Sequence, residues 1–207
     1  ISKKAFIFFI RSSKNLKKLS RTISSKFPKF NKCKWGVSSG ERFRLDEIRR
    51  FRLDEKEYIS QLKNFKFCDF CLIGNLGKSS LILLRREDIL EKEIVLAREE
   101  GMTPLGMCEA SFALPLIEKL DVAGNWTWVN KEFACPSLES VTKIIKSSKK
   151  PITAYKIFGG GQGNFDLRGS LEFLSKLKMI KSIVVGVENE TQAEETFQKI
   201  KQLNIFS

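Results

Sequence analysis

A run of glycines follows a short apolar segment near the carboxyl end of the chain. Residues 152–158 are rich in β-formers, and Gly159, Gly160 and Gly161 come directly after them. Glycines let backbone N–H groups approach an anion closely, so the run is typical of a phosphate-binding loop. A glycine run by itself is equally typical of a plain flexible loop. Both interpretations stay open on the residues alone.

A second apolar segment, residues 182–186, ends at Gly186 and leads into a polar turn. Asn189 and Thr191 can cap a helix that runs through Gln192, and its N-terminus would add N–H groups and a partial positive charge. Strands alternating with helices predict a parallel sheet covered on both faces. In a (β/α)₈ barrel, the loops after the seventh and eighth strands often form a phosphate site.

The elements before these two strands fit the same alternation. The patterns predict strands over residues 21–27, 67–73 and 103–108, and helices over 86–100 and 137–147. Counted from Arg21, the chain holds about six strand–helix units, whereas a complete barrel needs about 250 residues. Six units leave two open sheet edges, which predicts an oligomer or another covering segment.

Two segments also resemble the aldo/keto reductase family. Residues 154–161 (AYKIFGGG) are similar to the seventh strand and loop of that family, and residues 182–195 to the eighth strand and following helix. The resemblance implies a partial or degenerate TIM (β/α)₈ barrel over residues 21–207, preceded by a basic segment over residues 1–20. It also implies an NADP- or NAD-dependent oxidoreductase that acts on a small carbonyl or alcohol substrate.

The resemblance assigns cofactor contacts to eight positions. Tyr155 falls where the family stacks a tyrosine on the nicotinamide, with Lys156 beside it. The other positions lie in the glycine loop and in the segment that would hold the adenosine phosphate: Gly159, Gly160, Gly161, Gly186, Asn189 and Gln192.

The resemblance leaves the catalytic set incomplete. Lys26 falls at the place of the family's catalytic lysine, while Gly74, followed by Asn75, stands where the family has a catalytic histidine. The family's tyrosine and aspartate would lie upstream of this chain, which therefore reads as an inactive member or a fragment. The alternative is a non-catalytic barrel that serves as a binding or scaffold protein. A third interpretation is a lyase or isomerase that uses the glycine loop without a nicotinamide.

The charge is concentrated at the amino end. The 207 residues include 37 Lys and Arg against 24 Asp and Glu, but residues 1–40 hold eleven of the basic residues and no acidic one. The remainder is near balance, so only the N-terminal segment suits nucleic acid. An acid-poor, serine-containing basic leader is typical of a transit peptide or of a solvated tail. A cytoplasmic location is predicted, with organelle import left open.

Cysteine and histidine usage narrows the chemistry. The chain has no His, which removes imidazole catalysis and most His-containing metal sites, and no metal site is predicted. Five cysteines at ordinary spacing are typical of reduced thiols in a cytosol. Cys68 and Cys71 fall in one predicted strand, where alternation favours packing over joint metal or redox work. No apolar run is long enough to span a membrane.

Overall fold

The computed structural model describes residues 50–74, 81–82, 85–108, 113–131, 134, 137–158 and 166–203. Within this part, five strands form a single parallel sheet in the order β1-β2-β3-β4-β5. The strands are β1 (Phe70–Ile73), β2 (Thr103–Cys108), β3 (Asn125–Trp128), β4 (Ile152–Tyr155) and β5 (Ile180–Ile183). The helices are α1 (Glu55–Asn64), α2 (Glu87–Glu99), α3 (Leu114–Ile117), α4 (Leu138–Ser147), α5 (Leu167–Ser175) and α6 (Glu190–Gln202). Consecutive strands that pair in parallel through connecting helices are the arrangement of a barrel segment.

The two faces of the sheet carry different cores. One face packs under the helices, and its cluster includes Ile94 of α2, Ile145 of α4 and Leu171 of α5. The opposite face, called the inner face below, has a separate cluster of buried Leu72, Met107, Trp126 and Tyr155, with Leu105, Trp128 and Val184 packed against it. Every member of this second cluster comes from a strand or from the residue just after one. The inner face therefore corresponds to a barrel interior, where alternate strand residues meet in layers.

Several predicted elements are confirmed. β2 spans the predicted residues 103–108, and α2 buries Ile89, Ile94 and Ala97 as the helical spacing required. Ser137 caps α4 and accepts a hydrogen bond from the N–H of Ser140. The predicted strand over residues 21–27 and the basic segment over residues 1–20 lie outside the described residues.

Several predicted elements are shorter or displaced in the structure. β1 begins at Phe70 instead of residue 67, so Cys68 lies before the strand and not within it. β5 spans Ile180–Ile183, whereas the pattern predicts residues 182–186. The apolar pattern also predicts a helix over residues 112–120, but in the described residues only the single turn of α3 is helical. β4 ends at Tyr155 instead of Phe158, because Lys156 adopts a left-handed backbone with φ 51° and leaves the sheet.

A carboxylate ties together the amino ends of β3 and β4. Oε1 of Glu118 accepts hydrogen bonds from Asn125 Nδ2 at 3.2 Å and from the Lys149 and Lys150 N–H groups at 3.0 and 3.3 Å. The Ser148 hydroxyl donates to the same oxygen. Hydrogen bonds to a charged acceptor are the stronger kind, so this end of the sheet is held firmly.

The described cysteines lie in the packed interior. Cys68, Cys71 and Cys108 are buried thiols outside any disulfide, which matches the packing role predicted for the first two. No helix in the described part of the chain has the length and hydropathy needed to cross a bilayer. Over the same residues, no three His, Cys, Asp or Glu side chains come together as a metal site would require.

Candidate active site at the carboxyl edge of the sheet

Lys156 lies immediately after β4, at the edge where barrel enzymes place their reacting groups. Its Nζ lies 4.6 Å from the centroid of the Trp128 ring, over the indole face. Tyr155 and Trp128 are paired in the register of β3 and β4. The ammonium group is therefore held over the inner face by an attraction between a cation and an aromatic ring.

The backbone at Lys156 is responsible for this orientation. Successive strand residues point to opposite faces, and Tyr155 already points to the inner face. A regular strand would direct Lys156 toward the helices. The φ of 51° breaks the alternation, because it turns the chain at this residue. A non-glycine residue in this region costs about 1–2 kcal/mol, so surrounding contacts must hold it there.

Asn130 supplies such contacts. Its side chain is 5% exposed, and its Nδ2 donates to the Lys156 carbonyl at 3.3 Å and to the Ile157 carbonyl at 2.9 Å. These two carbonyl groups lie beyond the end of β4 and outside its hydrogen-bonding pattern, so they need other hydrogen-bond donors. Asn130 comes from the segment after β3 and thereby fixes the turn that carries Lys156.

The inner face below Lys156 is apolar and aromatic. Trp126 and Tyr155 pack with their ring centroids 6.2 Å apart at an interplanar angle of 49°. The indole Nε1 atoms of Trp126 and Trp128 are shielded from water, and no hydrogen-bond partner for them occurs in the described part of the chain. Buried polar groups are normally paired, so two such donors on one face call for a physical explanation.

A second contact fastens the segment after β3 to the start of α5. Lys131 Nζ bonds to Asp166 Oδ2 at 2.9 Å, and Asp166 Oδ1 caps α5 by accepting from the Gly169 N–H at 2.9 Å. The backbone hydrogen bond from Gly169 and the Lys131 ammonium lower the pKa of Asp166. The ion pair thus links the segment after β3 to the first residue before α5.

The eight predicted cofactor positions divide into three groups. Tyr155 and Lys156 lie together at the inner face, as described above. Gly159, Gly160 and Gly161 lie outside the described residues, and so does the predicted catalytic Lys26. Gly186, Asn189 and Gln192 lie after β5, where Gly186 is exposed and a Cβ at that position would meet open space.

The amino end of α6 is already capped by its own side chains. Asn189 Oδ1 accepts from the Gln192 N–H at 2.9 Å, and Gln192 Oε1 accepts from the Glu188 N–H. This arrangement resembles a capping box, except that the Gln192 side chain accepts from the residue before the N-cap. The Asn189 side chain thereby occupies one of the helix N–H groups that an anion would need. The roles assigned to these residues in binding a nucleotide remain predictions.

The position of Gly74, directly after β1, has no space for a side chain such as the histidine that the reductase resemblance would place there. Its φ is +90°, and a Cβ there would lie 2.7 Å from the Met107 carbonyl oxygen. The backbone conformation and the close approach both require glycine. Asn75, the next residue, lies outside the described residues.

Sequence reasoning did not assign Trp126, Trp128 or the amide of Asn130 to a site. The signal was present in part, because residues two apart in a strand share a face, and Trp126 and Trp128 are so spaced. Their position next to Lys156 depends on the pairing of β3 with β4.

Two solved structures are similar to the chain in fold. A monomeric variant of dihydrodipicolinate synthase matches with a TM-score of 0.50 and 12% identity, over 75% of this chain and 55% of its own. The dihydrodipicolinate synthase of Thermotoga maritima matches with a TM-score of 0.52 and 12% identity, over 79% of this chain and 58% of its own. The chain therefore spans somewhat more than half the length of these structures. No family model and no curated protein sequence matches it.

These comparisons confirm the fold and correct the family. The partial α/β TIM barrel is confirmed. The aldo/keto reductase resemblance is wrong, and with it the prediction of an NAD(P)-dependent oxidoreductase, because the similar structures are dihydrodipicolinate synthases. The resemblance depended on two short segments that combine an apolar strand with a glycine or polar turn. Parallel barrels of many families need such segments, so they indicate the fold more than the chemistry. Binding of NAD or NADP stays a prediction.

Proposed function

We propose that the chain is part of a barrel enzyme of the lyase or aldolase type, in which the Lys156 amine forms a Schiff base with a small carbonyl substrate. The observation that carries the proposal is the placement of the Lys156 Nζ over Trp128 at the carboxyl edge of the sheet. Lysine amines are the usual nucleophiles for carbonyl compounds in enzymes. The similar structures are synthases on the same fold, which permits this chemistry but does not by itself identify it.

The chemistry requires little beyond the amine and its surroundings. The ammonium first loses a proton to water, and Nζ then attacks the carbonyl carbon to form a C–N bond. The carbonyl oxygen then takes one proton from Nζ and regains from solvent the proton that the ammonium released, so it leaves as water and an iminium ion remains. Its positive charge withdraws electrons from the neighbouring carbon, so a carbon–carbon bond can break or form there.

The surroundings of Lys156 suit these steps. The Trp128 face can hold a positive charge, whether it belongs to the ammonium or to the iminium. Asn130 keeps the turn at Lys156 in place. Because the backbone that carries the amine is already ordered, the amine loses less conformational entropy when it attacks the substrate. Asn130 is therefore a positioning residue in this proposal.

Reductive trapping tests the proposal directly. The full 207-residue chain is incubated with a panel of small aldehydes and ketones and reduced with borohydride, and the adduct is located by peptide mass mapping. We expect one adduct per chain, on Lys156, and its loss in Lys156→Ala. Lys146 lies exposed in the last turn of α4, so Lys146→Ala is the matched control and should trap normally.

Two results would count against the proposal. An adduct of equal yield in Lys156→Ala would show that another lysine reacts. Equal modification of Lys156 and Lys146, with adducts spread over many surface lysines, would show that Lys156 has only ordinary surface reactivity. The first result would remove Lys156 from the proposal, and the second would favour the non-catalytic barrel predicted as the alternative from the sequence.

A further inference from the structure

A group of exposed lysines lies at the amino edge of the sheet, where α4 leads into β4 and α5 leads into β5. Ile152 of β4 pairs with Ile180 of β5, so these two connections are neighbours. Residues 140–158 and 173–187 contain no Asp or Glu. The lysine surface, as we call it, consists of the exposed lysines of these connections and of their flanking elements: Lys146, Lys149, Lys176, Lys178 and Lys181.

Basic side chains elsewhere along the same edge form ion pairs. Lys63 in the last turn of α1 pairs with Glu100 after α2, and Arg98 of α2 pairs with Asp121 before β3. In the described part of the chain, by contrast, no ion pair involves a member of the lysine surface. Their mutual repulsion is not offset by paired carboxylates, and such repulsion opposes folding.

Three carboxylates adjoin the lysine surface, and each has partners of its own. Glu118 Oε1 accepts from four donors at the amino ends of β3 and β4. Asp121 pairs with Arg98, and Glu172 pairs with Arg168 on α5. These carboxylates lower the positive potential around the lysines, but their partners leave the ammonium groups available to an external anion.

Helix dipoles account for only two of the five lysines. Lys146 in the last turn of α4 and Lys176 at the C-cap of α5 complement the negative ends of their helices. Lys149 and Lys178 lie beyond the helices, in the connections themselves. The dipoles therefore do not explain why the charge continues up to the strands.

A bulge in β5 adds the fifth lysine. Ile152 pairs with Ile180 and Thr153 pairs with Ser182, so Lys181 is the extra residue of β5. A bulge interrupts the regular alternation of side chains and redirects the one it carries. Lys181 is exposed, and its charge lies at the same end of β5 as the connection before it.

The residue types of the surface select one kind of anion. Lysine ammonium groups are point charges, whereas arginine supplies the planar fork that binds a single carboxylate through two hydrogen bonds. Membrane insertion and stacking on unpaired bases both need exposed apolar or aromatic side chains. In the described residues, the large exposed hydrophobic side chains lie outside the lysine surface: Phe67, Val95, Leu138, Val187 and Phe197. The repeated phosphates of a duplex need only positive charge.

We infer that the lysine surface binds the phosphate backbone of a nucleic-acid duplex without reading its base sequence. The near balance of charge beyond residue 40 conceals this surface, because the acidic residues lie in other parts of the chain. The surface is at the amino edge and the Lys156 site is at the carboxyl edge, so this inference does not depend on the proposed function.

Salt-dependent binding tests the inference. The full chain is titrated into a short labelled DNA duplex, and fluorescence anisotropy is followed at several salt concentrations. The test variant is Lys178→Gln, Lys181→Gln. The matched control is Lys56→Gln, Lys66→Gln, which removes the same charge from exposed lysines on and after α1. Residues 1–40 are unchanged in both variants, so any binding by that basic segment contributes equally.

We expect the two variants to differ in salt dependence. In the test variant, the slope of log affinity against log salt should become shallower by about two, because two phosphate contacts are lost. Its affinity at low salt should fall by about tenfold, whereas the control variant should keep the original slope.

Three results would overturn the inference. The first is an equal slope in the folded test and control variants, and the second is no saturable binding of the duplex by the original chain. The third is tighter binding of polyglutamate than of the duplex at the same salt concentration, which would identify an acidic polypeptide as the partner. Normal duplex binding by Lys156→Ala, together with no carbonyl trapping by the original chain, would contradict the proposed function alone.

Discussion

The Lys156 ammonium group lies over the indole face of Trp128, with 4.6 Å between Nζ and the ring centroid. The two residues come from neighbouring strands, and the register pairs Trp128 with the residue before the lysine. Regular strand geometry would have placed the lysine on the other face. The left-handed backbone at Lys156 brings the pair together and thereby creates the candidate site.

The backbone strain at Lys156 gives a first prediction. In Lys156→Ala the side chain is removed but φ of 51° must be kept, whereas Lys156→Gly adopts this conformation freely. We expect the glycine variant to be more stable than the alanine variant by about 0.5–1 kcal/mol, after allowance for the greater freedom of glycine in the unfolded chain. Urea unfolding of both variants measures the difference. A more stable alanine variant would contradict the left-handed turn.

Asn130 gives a second prediction, which separates positioning from folding. Asn130→Asp keeps the size of the side chain but removes the donor that serves the Lys156 and Ile157 carbonyls. We expect a loss of about 2–3 kcal/mol in unfolding free energy, because two carbonyls lose their donor and a buried carboxylate replaces an amide. Urea unfolding measures it, and the exposed Asn64 provides the control Asn64→Asp.

The same variant should also slow adduct formation at Lys156. Where Asn130→Asp is still folded, the rate of borohydride trapping at saturating carbonyl compound should fall by about tenfold or more, since the amine is no longer fixed. A variant that loses stability but traps at the normal rate would show that Asn130 has only a structural role.

Glu118 gives a third prediction, at the opposite edge of the sheet. Glu118→Ala leaves four donors without their shared acceptor, and we expect a loss of about 2–3 kcal/mol in unfolding free energy. Glu118→Gln keeps the oxygen and should lose about half as much. Trapping at Lys156 should be unchanged in the folded Gln variant, because the amino ends of the strands are remote from Lys156. The exposed Glu99 on α2 supplies the control Glu99→Ala.

The Lys131–Asp166 pair gives a fourth prediction, which concerns pH. The pKa of Asp166 is lower in the folded chain than the ordinary value of about 4, because Gly169 and Lys131 favour the carboxylate. The stabilisation is therefore fully present above the ordinary aspartate pKa and is lost as the pH falls through the lowered value. The melting temperatures of the original chain and of Asp166→Asn should differ near neutral pH and converge in acid. Asp69→Asn, also at an exposed aspartate, is the control.

Gly169 gives a fifth prediction that concerns the same contact. A Cβ at this position would overlap Asp166 Oδ2 and approach Lys131 Nζ. Gly169→Ala should therefore displace the cap, and it should lower the melting temperature near neutral pH although alanine is the better helix former. Gly186→Ala, where a Cβ meets open space, is the matched control and should be close to neutral. A stabilised Gly169→Ala variant would show that the cap is not formed.

The sequence determined the alternation of strands and helices, because the apolar spacing within residues 103–108 and 138–147 has a single good burial pattern. It did not determine the family, because an apolar strand followed by glycines suits many barrels. It also could not give the position of Lys156, since alternation along β4 assigns the lysine to the helix-covered face. Tertiary structure decided this point: the Asn130 amide and the pairing of β3 with β4 hold a strained turn that no local pattern in residues 152–158 encodes.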